Sequence, residues 1–141
     1  MSGLACARER VLAFAPDLVV LIAPDHHKNG FFNALMPPFC IGTSARPVDD
    51  YLSPAGPFNV DADAAVALAT RLMDEDFDAA VSRRPWFAQP LQILWGGLNT
   101  PPVLPISINA AAQPGIPRLR RCRALAGAIG RSLDGMPKRI C

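Results

Sequence analysis

The stretch LVVLIA, residues 18 to 23, lies between Asp17 and Pro24 and limits the fold more than any other part of the chain. Six apolar residues in a row, several of them β-branched, are too few for a buried helix. They also lack the alternation that would leave one face to water. Such a run suits a strand buried on both faces, as in a parallel sheet covered by helices on each side.

The segments around it have the complementary pattern. Leu4, Ala7, Val11 and Phe14 recur at helical spacing, which predicts an amphipathic helix over 4–15 that stops at Ala15-Pro16-Asp17. FCIGT (39–43) reads as a short strand. DADAAVALATRLMDE (61–75) reads as a helix capped by Asp61 or Asp63, with Ala65, Leu68, Leu72 and Met73 on its apolar stripe. FDAAVS (77–82) follows as a strand. FAQPLQILWGGL (87–98) follows as a helix that begins near Pro90 and ends at Gly96-Gly97. VLPISI (103–108) is a strand in which Pro105 favours an edge or a bulge. The last helix, 117–133, carries Leu119, Cys122, Leu125, Ala126, Ile129 and Leu133, with arginines opposite. Alternation of this kind predicts α/β layers: a three-layer α/β/α domain over residues 1–141 with a mostly parallel or mixed sheet. The chain opens into a helix and stops where a further strand is due, so the domain is expected to be partial.

Charge and composition remove several functions. Net charge is +2, from 14 basic and 12 acidic residues, which predicts no nucleic-acid or anionic-membrane partner. The arginine run in PRLRRCRAL (117–125) shares its helix with an apolar stripe and reads as a solvated face. No apolar stretch reaches the ~20 residues of a membrane span. The opening MSGLACARERV lacks the apolar centre of a signal peptide. Cys6, Cys40, Cys122 and Cys141 have no metal or disulfide spacing, which fits free thiols in the cytoplasm.

The chemistry concentrates in IAPDHHKNGFF, residues 22–32, which holds both histidines of the chain. Ligands of open α/β sheets bind past the carboxyl ends of strands, and Asp25, His26 and His27 follow such an end. Neutral imidazole is a common metal ligand, and a histidine with a carboxylate and open positions suits non-haem iron. Neighbours in an extended segment point to opposite sides, so one of the pair, but not both, could bind a metal. A solvent-facing loop with one histidine bonded to Asp25 explains the same residues. A third ligand could come from Asp49, Asp50, Asp61 or Glu75, and spacing does not choose among them. Phe31, Phe32 and Phe39 could line an aromatic pocket or pack the core. Arg83-Arg84 could pair with a carboxylate or stay solvated.

Three stretches together resemble a known family: APDLVVLIAPDHHKNGFFNALMPPFCIGT (15–43), WFAQPLQILWGGLNTPPVLPISIN (86–109) and RCRALAGAIGRSLDGMPKRI (121–140). They are similar, in order and over nearly the whole chain, to the class III extradiol ring-cleavage dioxygenases. The resemblance implies Fe(II) and a catechol substrate of the 2,3-dihydroxyphenylpropionate type. It further implies O2, both atoms of which enter the product as the ring opens beside the diol, in bacterial aromatic catabolism. It makes His26 an iron ligand and sets His27 where the family has an aromatic.

The departures are as informative. The family's His-Ser-Pro strand has no counterpart here, and Arg84-Pro85-Trp86 stands where the family has Asp-His-Gly. The family's Gly-Leu-Ser-His stretch and its glutamate ligand correspond to nothing in these residues. The expectation is therefore a chain inactive on its own, or a non-catalytic module that docks on a full-length relative. Its open sheet edges make a homo-oligomer or aggregation the expected behaviour.

Overall fold

A computed structural model describes residues 3–24, 37–47, 55–83, 85–86, 88–110 and 113–141. Its helices are α1 (Gly3–Phe14), α2 (Ala62–Asp74), α3 (Gln89–Trp95) and α4 (Leu119–Asp134). Its strands are β1 (Val19–Pro24), β2 (Phe39–Gly42), β3 (Arg46–Pro47), β4 (Ala80–Ser82), β5 (Pro85–Trp86) and β6 (Val103–Ile108). Four strands form one mixed sheet in the order β1-β6-β2-β4, and β3 pairs with β5 separately. The β1–β6 and β2–β4 pairs are parallel, and β2 runs antiparallel to β6. The α/β architecture with a mixed sheet is the one the alternating elements imply.

Successive residues along the strands divide between two apolar clusters. Leu18, Phe39, Ile41, Leu104 and Ile106 pack with Leu68 and Leu72 of α2 and with Leu125, Ile129 and Leu133 of α4. Val19, Leu21, Cys40 and Val103 turn to the other face, against Ala88 and Leu91 of the α3 segment. The unbroken apolar run therefore has helices on both sides, as its composition requires. Each fully buried leucine or isoleucine in these layers contributes about 1.5–3 kcal/mol.

Local chemistry sets the helix limits. The Asp61 carboxylate accepts from the Ala64 N–H at 2.9 Å, which settles the choice of cap for α2. α3 carries proline in its first turn and closes at Gly96, whose φ of 79° lies in the left-handed region that glycine alone adopts without strain.

Three expectations are corrected. Pro105 lies neither at an edge nor at a bulge; it is fully buried in β6, a central strand. Its missing N–H is accommodated because pairing with β2 stops at Ile41↔Ile106, one residue short of it. Beyond that point Val103 bonds instead to the Asn59 carbonyl and the Asp61 N–H. Leu119 is not on the buried stripe of α4 but is 87% exposed, because the first turn of α4 projects past the layer it covers. The apolar stripe of α1 is likewise largely open, with Leu4 62% and Phe14 47% exposed; α1 packs on α3 and buries no residue fully.

The chain's last residues join the sheet. The Val20 N–H donates to the Cys141 carbonyl at 2.7 Å and the Cys141 N–H to the Leu18 carbonyl at 3.0 Å, a parallel pairing on the free side of β1. Asp17 anchors it. Its carboxylate accepts from the Arg139 N–H at 2.9 Å, from Nε at 3.0 Å and from Nη2 at 2.9 Å. These bonds from Arg139 hold the Asp17 carboxyl down at about 2. In the unfolded chain it returns towards its ordinary value near 3.8. Between those limits the unfolded state binds more protons, so stability falls as pH falls from about 4 to about 2. Thermal unfolding of the wild type and of Asp17→Asn across pH 5 to pH 2 is expected to show the wild type losing its advantage over that window. An advantage independent of pH would remove this linkage.

Candidate functional site

The site the sequence points to begins where β1 ends. Pro24 is opposite Ile108, so the β1–β6 pair finishes its two strands together at one end of the sheet. Asp25, His26 and His27 are the next residues in the chain and lie outside the described residues, as do Phe31, Phe32, Asp49, Asp50 and Arg84. What can be built is the frame that receives them.

That frame has an apolar floor and a polar rim. Ile108 is opposite Phe39, the first residue of β2. Asn109, which follows β6, is 3% exposed, and its N–H donates to the Pro38 carbonyl at 3.0 Å. Ser107, two positions before Asn109, is buried as well. Asn109 and Ser107 are the polar groups that the sequence reading did not single out. The available signal was a serine and an asparagine at the last turns of an apolar strand, at the carboxyl end where ligands of such sheets bind.

Several candidates are assigned elsewhere by the geometry. Phe39 is not a pocket wall; it is 2% exposed in the core, edge-on to Phe77 with ring centroids 6.4 Å apart. Asp61 is engaged with Ala64 and with Lys138 Nζ at 2.7 Å, both of which lower its pKa, Lys138 the more. It also lies beside Val103, at the far end of β6 from Ile108. The five residue steps between Val103 and Ile108 span about 16 Å, so Asp61 cannot share a metal with a group just past Pro24. Glu75 forms an ion pair with Arg131 on the outer surface.

Among the described residues, no three histidine, cysteine or acidic side chains come together as a metal-holding cluster. The described residues therefore do not by themselves fit a ferrous ion, which in any protein needs several donors around one point. Among them, too, no helix is long and apolar enough to cross a membrane.

Comparison with known proteins adds to this frame. A family model described as the catalytic LigB subunit of aromatic ring-opening dioxygenase matches residues 1–140. A 2,3-dihydroxyphenylpropionate/2,3-dihydroxicinnamic acid 1,2-dioxygenase of Comamonas testosteroni is 58% identical over 97% of this chain and 44% of its own length. Proteins of the same description are 48% identical in Mycolicibacterium vanbaalenii, over 98% of this chain and 44% of theirs, and in Escherichia coli K12, over 97% and 44%. The chain thus spans less than half the length of these relatives.

Proposed function

The chain belongs to the family of the catalytic LigB subunit of aromatic ring-opening dioxygenases, and we propose that it serves the extradiol cleavage of a 2,3-dihydroxyphenylpropionate-type catechol by O2. The 58% identity to the Comamonas relative carries this reading. The parallel β1–β6 pair supports it, because that pair ends at Pro24, the residue before Asp25-His26-His27 in the sequence, and ligands of such sheets bind past strand carboxyl ends. In this reading His26 would be one of the residues holding Fe(II), which would supply the redox chemistry of the ring opening.

Two histidines cannot supply a complete ligand set together with the groups that move protons. The chain spans less than half the length of its relative, and in this reading the remaining groups are supplied by the rest of such a protein. Asn109 and Ser107 have a more limited part: they give the rim of the site buried polar groups beside its apolar floor. A second reading has one observation in its favour. A chain that covers 44% of its relative is also suited to dock on a full-length relative without catalysing anything itself. We propose a cytoplasmic location, since the spacing of its four cysteines suits no disulfide framework.

The test is a chimera in which residues 1–140 replace the matched stretch of the Comamonas relative. Detectable ring cleavage of 2,3-dihydroxyphenylpropionate is the expected outcome, lowered about 10²–10⁴-fold from the parent because Arg84-Pro85-Trp86 replaces the family's Asp-His-Gly. A folded chimera with no cleavage would favour the docking role.

A further inference from the structure

A mixed sheet has carboxyl ends at both of its edges, and the second one here is unassigned. β2, α2 and β4 form a parallel βαβ unit. Because β2 is antiparallel to β6, this unit finishes at the end of the sheet opposite Pro24. The general rule that ligands bind past the carboxyl ends of parallel strands applies there as well. A groove of about 610 Å³ opens at that place, between the ends of β2 and β4 and the first turns of α2. Its size is within the range of small-molecule sites, roughly 300–1,000 Å³.

We propose that this groove binds a small zwitterion, specifically an α-amino acid with a branched apolar side chain. The walls carry opposite charges, Asp63 on α2 and Arg83 just after β4. Neither forms an ion pair with the other or with any described residue. Between them are the exposed side chains of Val66 and Val81 and the hydroxyls of Thr43 and Ser82. Thr43 is fixed in place by its N–H, which donates to the Ser82 carbonyl at 3.0 Å.

The charges decide between ligand classes. A helix N-terminus ordinarily attracts an anion. Here the Asp61 carboxylate accepts from the Ala64 N–H and is paired with Lys138, which leaves Asp63 as the open negative charge of the first turn. A bare anion is repelled from the helix side, and a bare cation from Arg83. A ligand with an ammonium for Asp63 and a carboxylate for the Arg83 fork satisfies both walls. Its apolar branch then covers Val66 and Val81. This inference is independent of ring cleavage, since none of these residues borders the end of β1.

The experiment is an NMR titration of the ¹⁵N-labelled 141-residue chain with three probes. L-leucine carries both charges, 4-methylpentanoate lacks the ammonium, and isopentylamine lacks the carboxylate. L-leucine is expected to shift the amides of Thr43, Val66, Val81 and Ser82 saturably, with each single-charge analogue about tenfold weaker or worse. Asp63→Asn and Arg83→Gln, both at exposed positions, are each expected to weaken L-leucine about tenfold while leaving the remaining spectrum in place. Equal binding of 4-methylpentanoate would overturn the proposal in favour of an anion site. Absence of saturable shifts at those four amides, or indifference to either substitution, would overturn it outright.

Discussion

His26→Ala in the chimeric relative is expected to lower ring cleavage about a thousandfold or more, the scale seen when one member of a catalytic set is removed. His27→Ala should leave the rate within about tenfold, a change of at most about 1.4 kcal/mol in the barrier. The asymmetry follows from the family resemblance, which makes His26 an iron ligand and sets His27 where the family has an aromatic. The 141-residue chain purified alone should show no cleavage above about one-thousandth of the Comamonas enzyme, because it spans less than half of that relative's length and a catalytic set acts as a unit. Oxygen consumption with 2,3-dihydroxyphenylpropionate, together with iron content, measures all three. A silent His26→Ala, equal losses for both substitutions, or an active isolated chain would each defeat the assignment.

Phe39→Ala should cost about 3–5 kcal/mol of folding stability. That is a large part of the 5–15 kcal/mol that holds a typical domain together. Phe39 is enclosed by both helix α2 and the neighbouring strands, with Phe77 edge-on at 63° between the ring planes. Truncation removes that aromatic contact and leaves a cavity which strands on either side cannot close. Phe39→Leu keeps most of the volume and should cost about 1–1.5 kcal/mol. Val81→Ala, on a half-exposed side chain of the edge strand β4, should stay within about 0.5 kcal/mol. Urea unfolding of the three variants measures the order. Phe39→Ala as mild as Val81→Ala would mean that the core is not where the two apolar clusters place it.

The elements legible in the sequence are those whose signal is local. LVVLIA is a strand with both faces buried, Asp61 caps α2, and Gly96 closes α3, each for reasons contained within a few residues. What the sequence could not show depends on partners distant in the chain. Pro105 looked like an edge residue because a proline cannot donate to a neighbour. Whether a donor is needed there depends on where β2 stops, and that is decided more than sixty residues earlier. Leu119 continues the periodicity of α4, yet periodicity does not reveal how far the covered layer extends. The reverse direction of β2 against β6 was equally invisible, since a short apolar run reads the same either way. For the site, the strand end before His26 was legible, and so was the family. The buried polar pair at its rim, Ser107 and Asn109, was not, because a serine and an asparagine after an apolar strand are also ordinary turn residues.

Pro105 has one more effect, on strand alignment. Moving β2 one residue along β6 would turn Phe39 and Ile41 to the opposite helix layer and Cys40 to theirs, which the core forbids. Moving it two residues towards Val103 keeps the faces but brings a β2 carbonyl against a ring with no hydrogen to give. A buried carbonyl left without a donor costs about 1–3 kcal/mol. The proline thus serves as a built-in stop against slippage of β2 towards Val103.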